Sequence, residues 1–249
     1  MTLKTLDSAL ALLSYFTVRQ STWGVRELAK YSGVHHAVVH RVLATFAENG
    51  YLIQHPETSK YSLGLRLFEL GQVVRKTFTP EEIVRPVLEQ LAGQCGETVF
   101  LSWLDGHQGL CIGMVQSQHQ LRFSIELGER FALLAGAHAK AILAFQPSAF
   151  REAIYQQGKD SAATRADMEP HLDEVRQNGW AYTYGEAAAG VAGLAVPLWS
   201  PNHQAVVGSV SIAGPQQRIG ETDQPQLISA LLQASKNLEH VTGYVNPQA

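Results

Sequence analysis

The tightest constraint on this chain lies in its first 64 residues, where three short helical patterns run directly into a two-strand pattern. Apolar residues Leu6, Ala9, Leu10, Leu13 and Phe16 recur at helical spacing behind Thr5 or Asp7, either of which suits a helix cap. Arg19 to Thr22 reads as a polar break. Val25 to Tyr31 follows as a short helix with Gly24 as N-cap and Val25, Leu28 and Ala29 inward. At Ser32-Gly33-Val34 the chain turns a corner, and Gly33 supplies the backbone freedom that corner needs. A third helix, His35 to Glu48, buries Val39, Val42, Leu43 and Phe46 and stops at Asn49-Gly50. Tyr51 to Gln54 and Lys60 to Leu63 then flank a turn over 55–59 and form a hairpin. Three helices and a hairpin in this order predict a winged helix-turn-helix.

Charge points the same way. Residues 1–78 hold nine lysines and arginines against five acids, whereas the remaining residues hold ten against seventeen. A cationic module joined to an anionic one suits a polyanion partner at one end only. With the third helix buried along Val39 and Leu43, His36, Ala37, His40 and Arg41 face outward. Arg41 suits a phosphate or the edge of a guanine, and His35, His36 and His40 suit base edges or phosphates. Thr45 completes the helix contribution, and Lys60 offers a phosphate contact from the wing. The partner expected is double-stranded operator DNA. His36 and His40 also have the i, i+4 spacing of a metal pair, which leaves a metal-sensing regulator as an alternative; Ala37 stands where a zinc protease has Glu, and no third ligand sits at a telling distance. No metal or cofactor is expected.

The helical pattern from Gly64 to Lys76 is a connector ending at Thr79-Pro80, and its apolar residues suit either a dimer contact or packing on a domain. After a helix from Glu81 to Gln94 come strand patterns at 98–104, 110–115 and 121–125, helices at 137–145, 147–157 and 168–177, strands at 193–198 and 205–212, and a closing helix from Gln224 to Val241. Antiparallel strands interrupted by helices predict an α+β class domain. The domains expected are 1–64 for DNA binding, 65–78 as linker and dimerisation helix, and 79–249 for effector binding.

Several function classes fall away. Cys95 and Cys111 make no disulfide framework. Gly185 to Gly190 has P-loop spacing, but Val191 and Ala192 replace the phosphate-binding Lys and Ser/Thr. A metabolite-processing enzyme would have to use His138, His107 and Cys111, so no enzyme is expected. Neither a signal peptide nor a membrane span is credible, which predicts a cytoplasmic protein with no membrane partner.

Over residues 3–243 the chain resembles the IclR (isocitrate lyase regulator) family of bacterial transcription regulators. The resemblance is carried by Arg26-Glu27-Leu28-Ala29, Gly33-Val34, Arg41-Val42-Leu43-Ala44-Thr45-Phe46, Gly50-Tyr51-Leu52 and Tyr61-Ser62-Leu63-Gly64. It continues through Gly128-Glu129-Arg130, Ala139-Lys140-Ala141, Gly179-Trp180-Ala181, Glu186, Leu194-Ala195-Val196-Pro197 and Ser209 to Pro215. The resemblance implies a winged helix, a dimerising linker helix and a GAF-like antiparallel sheet domain with flanking helices that binds a small effector, a carboxylic or sugar acid. It further implies a homodimer or tetramer on near-palindromic DNA, controlling catabolic genes. Carried over by position, the effector site comprises Ala137, His138, Thr183, Gly193, Ser211 and Ala213. Three departures stand out: Ala37-Val38 replaces a Ser-Thr pair, Ala139 replaces a glycine, and Thr183 stands at a position usually acidic.

Overall fold

The computed structural model describes residues 3–17, 20–78, 81–158, 161–201, 204–220 and 224–244. The chain divides into two compact units, Met1–Val74 and Arg75–Ala249. Expected features at Arg19, at Thr79-Pro80 and at Asn202-His203 lie outside the described residues.

The first unit contains α1 (Lys4–Leu13), β1 (Thr22–Trp23), α2 (Val25–Ser32), α3 (His36–Glu48), β2 (Leu52–Gln54), β3 (Tyr61–Leu63) and the start of α4 (Leu65–Phe78). Its core is Leu12, Phe16, Trp23, Leu28, Val39, Leu43, Leu52 and Tyr61, each side chain contributing roughly 1.5–3 kcal/mol by leaving water. The corner between α2 and α3 is held open by Gly33 at φ +72°, a left-handed conformation in which its N–H donates to the Ala29 carbonyl. The expected polar break at Arg19–Thr22 is corrected in part: Thr22 and Trp23 form a strand paired with β3, so the hairpin's second strand is the centre of a three-stranded antiparallel sheet ordered β1-β3-β2. Trp23 anchors it by donating its indole N–H to the Tyr15 carbonyl at 2.8 Å.

In the second unit α5 (Glu81–Cys95), β4 (Thr98–Asp105), β5 (Gln108–Val115), β6 (Arg130–Ala132), α6 (Ala137–Leu143), α7 (Ser148–Tyr155), α8 (Ser161–Asn178), β7 (Ala181–Tyr184), β8 (Val191–Trp199), β9 (Val206–Pro215) and α9 (Gln224–Leu238) follow in order. The six strands make one antiparallel sheet ordered β6-β5-β4-β9-β8-β7. Side chains alternate between its faces. Val99, Leu101, Leu194, Val196, Val210 and Ile212 meet Val84, Leu88 and Leu91 of α5 and Leu227, Leu231 and Leu238 of α9. The opposite face receives α6, which is buried along its whole length, with α7 and α8 packed beside it. Glu169 ties the outer helices together by accepting from Arg151 at 2.9 Å, the Tyr155 hydroxyl at 2.8 Å and Arg176 at 3.1 Å.

The strand expected at 121–125 is absent. Phe123 and Ile125 turn inward while Leu121 stands in solvent, and the segment joins no ladder. Two short strands, β6 and β7, carry too little pattern to stand out by periodicity.

Candidate nucleic-acid face and effector site

Helix α3 begins where the His35 side chain caps it, Nδ1 accepting from the Ala37 amide at 3.3 Å, and ends where the Asn49 side chain donates to the Thr45 carbonyl at 2.8 Å. Because Val39 and Leu43 are fully buried, the rotation of the helix is set. His36, Ala37, His40, Arg41 and Thr45 consequently lie exposed along its outer side, with His35 exposed at its start. No ion pair or hydrogen bond holds the Arg41 guanidinium among the described residues, so its five donors face solvent. Lys60 differs. Its ammonium meets the Glu27 carboxylate of α2 at 3.1 Å, and Glu27 also accepts from the Gly24 amide at 3.3 Å. The Lys60 hydrogen bond, ahead of that amide, draws the Glu27 carboxyl below the usual carboxylate range.

In the second unit, register gathers the six residues expected at the effector site. Across β4 and β9, Thr98, Phe100 and Ser102 oppose Ala213, Ser211 and Ser209. Across β8 and β9, Gly193 and Ala195 oppose Ala213 and Ser211, and Thr183 of β7 opposes Gly193. All therefore share the face beneath α6. Gly193 lies directly beneath the helix: a Cβ there would make ordinary contacts, 3.4 Å from the Ala137 methyl and 3.6 Å from the Thr183 hydroxyl. His138, 9% exposed, projects from α6 between two aromatic walls, edge-on to Phe131 at 4.3 Å and to Phe100 at 5.4 Å. Burial pulls its imidazole down to about 4, so the ring is neutral at neutral pH.

The polar groups of this face fall into two kinds. Lys140 and Glu186 neutralise one another at 2.6 Å, and Glu186 also accepts from the Gly136 amide at 3.1 Å, which pins the loop after β7 to the start of α6. In contrast, the hydroxyls of Ser102, Ser209 and Ser211 are buried with no partner among the described residues. An unsatisfied buried hydroxyl costs on the order of 1–3 kcal/mol, so three in one patch mark hydrogen-bonding capacity that the chain does not use itself.

A strap over residues 116–129 crosses the end of this face. Its inner residues Phe123 and Ile125 pack with Phe100, Cys111 and Ala213. The Thr98 hydroxyl donates to the Phe123 carbonyl at 2.7 Å, the Ser117 hydroxyl to the Gly96 carbonyl at 2.7 Å, and Arg218, itself paired with the buried Glu97 carboxylate, to the Leu121 carbonyl at 2.7 Å. Neither the strap nor the aromatic walls were anticipated from sequence. The one available signal was the small-residue alternation of Ser209, Ser211 and Ala213.

Of the three residues an enzyme would use, His107 is exposed on the β4–β5 turn against Phe150, whereas Cys111 is buried, its thiol pushed up to about 12 by desolvation, and His138 is buried against Phe131 and Phe100. Among the described residues, no group of three or more His, Cys, Asp and Glu side chains is placed to hold a metal ion, and no helix is long and apolar enough to cross a membrane.

Comparison with known proteins accounts for both halves. Residues 5–56 match the IclR helix-turn-helix domain, and residues 76–240 match the family described as bacterial transcriptional regulator IclR, C-terminal. The chain is 30% identical over 247 residues to the HTH-type transcriptional regulator KipR of Bacillus subtilis, covering 97% of this chain and 98% of that protein. The crystal structure of an IclR transcriptional regulator from Silicibacter sp. TM1040 superposes with a TM-score of 0.85 at 28% identity, covering 98% of each chain. An IclR homolog from Microbacterium hydrocarbonoxydans, crystallised with 4-hydroxybenzoate, shares the fold with a TM-score of 0.79 at 19% identity over 96% of this chain and 98% of that one.

Proposed function

The chain belongs to the IclR family of bacterial transcriptional regulators, and from that premise we propose that it is a cytoplasmic, homo-oligomeric regulator that binds near-palindromic operator DNA through α3 and changes its occupancy when a small organic metabolite binds beneath α6. The observation that carries the DNA half is the division of α3 into a buried side and an exposed side bearing His36, His40 and the unpaired Arg41. A helix of this width enters the major groove, where a guanidinium forks onto guanine and imidazoles exchange hydrogen bonds with base edges. His35, Ala37 and Thr45 border that contact surface, and Lys60 reaches phosphate by exchanging Glu27 for it.

Self-association is supported by apolar side chains left in solvent on α4, Leu65, Phe68 and Leu70, and on α1, Leu3, Leu6 and Leu10. A two-fold dimer presents two copies of α3 and reads inverted half-sites. The effector half is supported by the convergence of Ala137, His138, Thr183, Gly193, Ser211 and Ala213 on one face, with the unspent Ser211 hydroxyl among them. Control of catabolic genes is the role that fits a regulator answering to a small organic metabolite.

The test is selection of bound sequences from a random DNA library by the full chain. Two inverted half-sites about one helical turn apart are expected. A consensus without internal symmetry, or recovery of the same sequences by an Arg41→Ala variant with unchanged affinity, overturns this docking.

A further inference from the structure

We propose that the effector taken beneath α6 is an uncharged compound with a flat apolar body and a hydroxyl or carbonyl group, such as a small phenol or benzylic alcohol, rather than the carboxylic or sugar acid expected from the sequence. The proposal rests on the effector site assigned above and names what that site selects.

Charge comes first. A carboxylate moved from water into a buried site costs several kcal/mol unless a cation meets it there. Among the described residues the cation on this face, Lys140, has a side chain only 5% exposed and is held at 2.6 Å by Glu186. A second anion would have to compete with Glu186 for that ammonium. Of the arginines at the margins, Arg130 is matched by Asp105 and Arg218 by Glu97, while Arg122 of the strap stands in solvent and donates to the His119 carbonyl. Cationic ligands fare no better, because Glu186 is committed to Lys140 and to the Gly136 amide, and position 183 carries a hydroxyl.

Shape comes second. The walls are rings: His138 stands edge-on between Phe131 and Phe100, and Phe123 of the strap lies 6.0 Å from Phe100. A flat ring continues this edge-to-face arrangement, whereas a sugar acid, with a hydroxyl on nearly every carbon, would strand most of them against phenylalanine.

Polarity comes third. Ser211, opposite Phe100 in the ladder and 1% exposed, has an unpartnered hydroxyl. The neutral His138 ring has one donor and one acceptor nitrogen, and no hydrogen bond engages either among the described residues. Together they serve one or two neutral polar groups on the ligand.

The experiment is isothermal titration of the full chain at pH 7.5 with three probes: 4-hydroxybenzyl alcohol, 4-hydroxybenzoate (the same ring bearing a carboxylate) and pyruvate. The alcohol is expected to bind at least about tenfold tighter than either acid. Ser211→Ala and His138→Phe, the latter keeping the aromatic packing, are each expected to weaken the alcohol about five- to tenfold, with the variants' melting temperatures at pH 7.5 confirming that they fold. Tighter binding of either acid, reduced by Ser211→Ala, overturns the ligand class while leaving the site in place. Binding of the alcohol at wild-type affinity in both variants overturns the proposal through the site itself. Failure of the alcohol to bind overturns it directly.

Discussion

The two recognition surfaces of this chain solve opposite problems. The α3 face keeps its functional groups in water: His36, His40 and Arg41 are exposed, and Arg41 is unpaired. Beneath α6 everything is withdrawn: His138 is neutral, Lys140 is paired, and serine hydroxyls are left without partners in a dry layer. A polyanion is held by mobile charges that release counterions, so its reader gains by staying solvated. A metabolite is discriminated by what it leaves unsatisfied, so its reader gains by excluding water. The same residue type shows the contrast, with histidine serving as an exposed donor and acceptor in one unit and as a buried aromatic wall in the other.

The largest effect that would break this contrast concerns His138. Its folded pKa of about 4 lies below the ordinary 6.5, so the unfolded chain takes up the proton first. The stability of the second unit is then fully present above pH 6.5 and falls by about 3 kcal/mol as pH drops toward 4. His138→Phe should remove that part of the acid loss in urea unfolding measured across this range; an identical slope in the variant would show that the ring is not held neutral by burial. Next, Arg41→Ala should cost about 1–3 kcal/mol in operator binding and relax the preference for guanine at the position it reads. Anisotropy titrations on operators varied at that position read both quantities, and an unchanged base preference with a lower salt slope would turn Arg41 away from a base and toward phosphate.

Glu169 sharpens the comparison from within the second unit, since its network is charged where the sheet face is neutral. Burial raises its carboxyl, but hydrogen bonds from Arg151, Tyr155 and Arg176 outweigh that and leave it below the usual range. A lowered carboxylate contributes stability above its unfolded pKa and loses it as pH falls through the folded value. Glu169→Gln should therefore cost about 1–2 kcal/mol at pH 7 and little near pH 3, as thermal melts across pH would show. The smallest effect belongs to Lys60. Its pair with Glu27 is solvent-exposed and adds little to stability, so Lys60→Ala should barely move the melting temperature of the first unit, and a shift of many degrees would make the wing structural.

Legibility from sequence followed the same divide. In the first unit the periodicity of α3 alone orients it, because burying Val39 and Leu43 leaves the outward residues no choice. The two-residue β1 escaped notice because a pair of residues has no period, and what fixes it is the Trp23 indole reaching the Tyr15 carbonyl. In the second unit the helices and long strands were readable, but the site was not. Phe100 and Ser102 come to oppose Ser211 and Ser209 only through strand order and register, which place residues over a hundred positions apart side by side, and Phe100 meets His138 only through the packing of α6 on that sheet. The alternation at 121–125 misled for a physical reason: an extended segment can turn Phe123 and Ile125 inward without any partner strand, and here a threonine hydroxyl takes the backbone bond a ladder would have made.

That threonine contact bears on timing. Thr98, Ser117 and Arg218 stitch the 116–129 strap shut through carbonyls at Phe123, Gly96 and Leu121. On the proposed reading, an effector beneath α6 exchanges no faster than those stitches part, so the response time is governed by a local opening equilibrium, and a pulse of metabolite shorter than one opening would pass unrecorded.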